Sequence, residues 1–74
     1  MKKLPILKAK EVCGALIAFS FVLVRQRGSH MQFRHIDGRA KTVPNHPSRD
    51  LSPIILRQIL KDINMSGDDF LTKL

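Results

Sequence analysis

The residues best able to do chemistry in this sequence stand around Gly28-Ser29-His30, with Arg25 and Arg27 just before the turn and Arg34 four residues after it. An imidazole with an ordinary pKa of about 6.5 can take or give a proton near neutral pH. Guanidinium groups bind phosphate oxygens through paired N–H donors and stabilise negative charge as it develops. A lone histidine beside a turn is usually an ordinary surface residue, so the neighbours decide what His30 means. Here they assemble the parts of a phosphodiester site: a proton-transfer group, cations, and a glycine that lets the backbone come close. RNA carries its own nucleophile, the 2′-hydroxyl, so such a site needs a base near that group and charge around the phosphate, without a metal.

The elements that must position these residues are strands. Phe21 to Arg27 (FVLVRQR) is rich in strand formers, and Gly28-Ser29 is a two-residue connection with glycine first, as a type II′ hairpin turn requires. His30 to His35 forms the return strand. A two-residue turn sets Arg27 opposite His30, Arg25 opposite Gln32 and Leu23 opposite Arg34, all on one face. Val22, Val24, Met31 and Phe33 fall on the other. The predicted sheet therefore has an apolar side for helices and a basic side open to solvent, with His30 on the basic side and His35 turned away from it.

Asp37-Gly38 signals a second hairpin into Arg39 to Val43, and Pro44 ends that ladder for want of an N–H. A tight loop would place Lys41 and Val43 on the basic face, whereas a bulged one would bury Val43. Before the sheet, Val12, Ala15, Leu16 and Phe19 repeat at helical spacing within Leu7 to Phe19. After it, Asn45 to Leu51 reads as a polar loop, and Ser52-Pro53 caps a helix whose stripe is Leu56, Ile59, Leu60 and Ile63. Asn64 stops that helix. Ser66 and Asp69 open a last short one ending in Phe70, Leu71 and Leu74. The expected fold is α+β: helix, three-stranded antiparallel sheet, helix, short C-terminal helix.

Seventy-four residues are expected to form one domain, 1–74, with a thin core. An extended polymer lying across an open face suits it better than a ligand enclosed in a deep pocket. The net charge is +7, and all of it arises within residues 1–41, where Lys8 and Lys10 join the arginines as candidate polyanion contacts. Cys13 is the only cysteine, and the three histidines lack metal-ligand spacing, so no metal site or cofactor is expected. The basic start followed by VCGALIAFSFVLV has the layout of a secretory signal. The run is nevertheless shorter than a membrane span needs and continues directly into Arg25-Gln26-Arg27. A helix leading into a strand accounts for it, and an intracellular setting is the simpler assumption.

The stretches LVRQRGSHMQFRH, DGR, TVPNHP, DLSPIILRQILKDI and DDFL together resemble the HicA family, the toxin half of HicAB toxin-antitoxin modules, over nearly the whole chain. The resemblance implies a double-stranded-RNA-binding-domain-like fold and cytoplasmic endoribonuclease activity on mRNA. It also implies a HicB-type antitoxin as partner, with the toxin a monomer alone or part of that complex. By the same resemblance His30 is the catalytic histidine. The chemistry of the turn gives Gly28 and Ser29 as its support, and the basic charge gives Arg25, Arg27, Arg34, Lys41, Lys8 and Lys10 as RNA contacts. His46 is a candidate second proton-transfer group, although a histidine in such a loop is more often structural. The chain departs from the family at Gly14, Ile17 and Ala18, where relatives tend to be polar, and at Lys41, often apolar. Ser20 stands where glycine is usual, so it is expected to need a positive φ.

Two other classes compete with a nuclease. A non-catalytic RNA-binding module would use the same fold to grip duplex RNA by shape and phosphate. A plain interaction subunit would instead dock a partner on the largely apolar first helix.

Overall fold

The structure is a computed structural model that describes residues 4–46 and 49–74. Lys2 and Lys3 of the basic start, and Pro47 and Ser48 of the expected polar loop, lie outside the described residues. The chain runs β1 (Leu7–Lys8), α1 (Ala9–Ala18), β2 (Val22–Arg27), β3 (His30–Arg34), β4 (Ala40–Pro44), β5 (Asp50–Leu51), α2 (Pro53–Asp62) and α3 (Gly67–Leu71). Strands β2, β3 and β4 form an antiparallel meander in that order, and β1 pairs with β5 as a separate two-stranded ribbon. The order of helix, three strands and two helices is the expected one. The ribbon is an addition: Leu7 and Lys8 lie outside the helix they were expected to begin, with Leu7 buried opposite Leu51.

The apolar run Val12–Val24 divides at Ser20. The backbone there has φ +74, which lets two bonds close the helix, from Ser20 N–H to the Ile17 carbonyl and from Phe21 N–H to the Leu16 carbonyl, both 2.9 Å. Phe21 and Leu16, joined by the second bond, are both buried. The same arrangement ends α2, where Asn64 has φ +55 and Met65 N–H bonds the Leu60 carbonyl at 2.9 Å. A side chain in this region costs about 1 kcal/mol relative to glycine. Ser20→Gly is therefore expected to raise stability by about 0.5–1 kcal/mol, seen as a higher urea midpoint with an unchanged slope. Among the described residues, no helix is long and apolar enough to cross a membrane.

Helix α2 begins as expected, with the Ser52 hydroxyl accepting from Ile55 N–H at 3.2 Å and Pro53 at the first helical position. The Ser66 hydroxyl likewise accepts from Asp69 N–H at 3.1 Å to start α3. The core lies between one face of the meander and the helices. Val12 and Leu16 of α1, Phe33 and Val43 of the sheet, Leu56, Ile59 and Ile63 from the α2 segment, and Phe70 of α3 are all essentially inaccessible.

Candidate active site

The turn that carries His30 has the expected geometry. Arg27 pairs with His30 across a two-residue connection, and Gly28 takes φ +58 while Ser29 stays on the ordinary side. The turn is held from three directions. Gln26 Nε2 donates to the Gly28 carbonyl at 3.3 Å, and Asn45 N–H donates to the Ser29 carbonyl at 2.6 Å. Beneath it, Met31 packs against the core, its sulfur 3.8 Å from Cys13 Sγ of α1 and 3.4 Å from Asn45 Nδ2. Burial pushes the Cys13 thiol up, so it stays protonated as a packing group.

Alternation along β3 separates two jobs. Met31 and Phe33 turn to the helices, leaving His30, Gln32 and Arg34 exposed on the opposite face. Arg27 stands beside His30 and Arg25 beside Gln32, so four of the sequence-predicted residues share one solvent-facing surface. The expectation for the start of β2 is corrected. A bulge between Leu23 and Arg25 sets Leu23 opposite Phe33 and Val22 opposite Arg34. Val22 and Val24, expected in the core, are 60% and 55% exposed, because the bulge sets Val22 beside the exposed Arg34 and leaves Val24 out of the ladder.

Lys41 does not join the basic face. It pairs with Phe33 on the helix side, and its Nζ lies 2.6 Å from Asp62 Oδ2. The second hairpin is of the kind that buries Val43, and the lysine beside it in register must find an acid on α2. Lys8 and Lys10 also stand apart from the sheet's basic face. Lys8 is paired with Asp50 at 2.9 Å, and Lys10 is exposed on the first turn of α1, the helix packed on the sheet's inner side. His35 turns away from the basic face as expected, half-buried with its ring 5.0 Å from that of Phe21. His46 is exposed just beyond Asn45, at the same end of the sheet as the turn, and its carbonyl accepts from Arg49 N–H.

One residue had its role missed by sequence reasoning. Arg39 donates to Asp37 Oδ2 at 2.8 Å and to the Ile63 carbonyl at 2.7 Å, with its guanidinium 5.2 Å from the Phe21 ring centre. It thus ties the second hairpin to the end of α2 and holds Phe21 in place. The Asp37-x-Arg39 spacing was the available signal, since an aspartate at a turn commonly bonds the backbone two residues on. The Arg39 N–H donating to Asp37 holds that carboxyl below its usual range, helped by the Arg39 side chain. Lys41 and Gln58 do the same for Asp62.

Both depressed carboxyls favour the folded state above the ordinary carboxylate range, and that help is lost as the pH falls through their lowered values. Asp37→Asn and Asp62→Asn should therefore be less stable than the parent at neutral pH. The deficit should vanish in acid, read from urea midpoints between pH 7 and about pH 2.

Asp37, Asp62 and Asp50 thus find their partners in the second hairpin, between α2 and β4, and in the β1–β5 ribbon. Among the described residues, none of the ion pairs includes Arg25, Arg27 or Arg34. Their charge is left uncompensated beside His30. Such a surface attracts polyanions, and its open shape suits an extended strand.

Fold and surface together define a small α+β protein of the double-stranded-RNA-binding-domain type, with helices on one face of the sheet and cations on the other. The family model described as the HicA toxin of bacterial toxin-antitoxin matches residues 9–65, from the start of α1 to the residue after Asn64. The chain belongs to the HicA toxin family. No curated protein matches the chain.

Proposed function

We propose that this toxin is a metal-independent endoribonuclease that cuts mRNA at His30. The observation that carries the reading is the pairing of an exposed His30 with Arg27, on a face where Arg25 and Arg34 have no acidic partner among the described residues. His30 acts as the general base on the 2′-hydroxyl, Arg27 beside it stabilises the charge of the pentavalent state, and Arg25 and Arg34, farther along the strands, hold neighbouring phosphates. The Gly28 backbone leaves room for the sugar-phosphate chain to approach the turn. His46, two residues beyond the Pro44 that pairs with His30, is the candidate for returning a proton to the leaving oxygen.

The test is cleavage of a labelled RNA in the presence of chelator, alongside the same strand with 2′-deoxy sugars. RNA should be cut and the deoxy strand bound but left intact. Cutting of both strands, or loss of RNA cleavage in chelator, would refute the mechanism. Arg25→Ala with Arg27→Ala should weaken RNA binding and lower the slope of log affinity against log salt by about 1.4, at ~0.7 for each single-strand phosphate that is no longer neutralised.

A non-catalytic RNA-binding reading uses the same arginines and leaves His30 idle. Binding without any cleavage would favour it.

A further inference from the structure

We propose that the free edge of β2 is a docking site for an acidic extended segment of another protein, which adds to the sheet as a fourth strand. Strand β2 hydrogen-bonds β3 on one side only, and every residue from Val22 to Arg27 is exposed. Its outer edge therefore presents a row of backbone N–H and C=O groups that another strand can pair with. Three neighbouring apolar side chains accompany that row, with Val22 60%, Val24 55% and Leu23 39% exposed. Arg25 and Arg27 follow in the same strand without an ion-pair partner among the described residues.

These three features select the occupant. RNA could use the two arginines, but it leaves the valines and the backbone row without partners. A protein strand uses all three, with main-chain bonds giving affinity and alternate side chains giving specificity. A second copy of this chain is a poor fit. It would bring a second set of cations to an edge whose Arg25 and Arg27 already lack acidic partners among the described residues, on a protein of net charge +7. A segment with apolar residues opposite Val22 to Val24 and carboxylates opposite Arg25 and Arg27 meets every requirement. The family's description supplies a class of partner, an antitoxin, without saying where on the toxin it binds.

The docked strand would lie about 4.8 Å from β2, with its outward carboxylates beside the arginines that flank His30. Phosphate and carboxylate then compete for the same guanidinium groups. That consequence for RNA rests on the nuclease reading, whereas the docking itself does not.

The test uses a fluorescein-labelled synthetic peptide of alternating glutamate and valine, with a lysine-valine peptide of equal length as control. The acidic peptide should bind, the basic one should not, and binding should slow amide exchange within residues 22–27. Val22→Ser combined with Val24→Ser should weaken the acidic peptide on the order of tenfold or more, a change of about 1.4 kcal/mol or above, while any RNA cleavage stays unchanged because the basic face keeps its charge. Protection that appears elsewhere, or equal binding by the double variant, would overturn the proposal. So would a dimeric free protein whose outward β2 amides are already protected. Slowed β2 exchange in a protein that never cuts RNA would uphold the docking site while the nuclease reading fell.

Discussion

Replacing His30 by alanine should abolish RNA cleavage while leaving the fold and RNA binding nearly intact. A positioned general base contributes about 10²–10⁴-fold to rate, so the loss should reach that range in single-turnover cleavage of a labelled RNA. His30 is exposed and contributes nothing to the core, and surface substitutions of this kind usually change stability within about 0.5 kcal/mol. Affinity for RNA should fall by no more than about threefold, because the phosphate contacts assigned to Arg25, Arg27 and Arg34 remain. An unchanged cleavage rate would remove His30 from the mechanism. A large loss of binding alongside normal circular dichroism would make it an anchoring group.

Phe21→Ala should have the opposite signature, unfolding the protein with no direct contact to the candidate site. Truncating a fully buried phenylalanine costs about 3–5 kcal/mol. A chain of 74 residues has only about 4–11 kcal/mol of total stability at 0.05–0.15 kcal/mol per residue. Phe21 is 2% exposed, closes α1 through its bond to the Leu16 carbonyl, and carries the His35 ring and the Arg39 guanidinium on its own ring. Its loss should therefore lower the urea midpoint by at least about a quarter. A midpoint within 10% of the parent would show that the contacts around its ring bear no weight.

What the sequence made legible was whatever local chemistry determines. The glycine-first turn, the alternation of β3, the Ser52-Pro53 start and the positive φ at Ser20 each follow from a few adjacent residues. The misreadings came from partners distant in the chain. Two-residue strands have no period to detect, so the pairing of Leu7 with Leu51 could not be seen. The Val24 bulge reassigns Val22 and Leu23 without any glycine to mark it. Lys41 looked like one more cation for the basic face until Asp62, a helix away, captured it. Of the candidate site, the part carried by one hairpin was legible, and the part that needed the rest of the fold was not.

The alternation along β3 also shapes how this toxin could be disarmed. In a selection for cells that survive its expression, inactivating changes on this strand should sort by parity. Those at positions 30, 32 and 34 leave a folded protein able to occupy its partner, and those at 31 and 33 remove the protein altogether. A silenced toxin of the first kind would still titrate the antitoxin in its cell, whereas one of the second kind would release it.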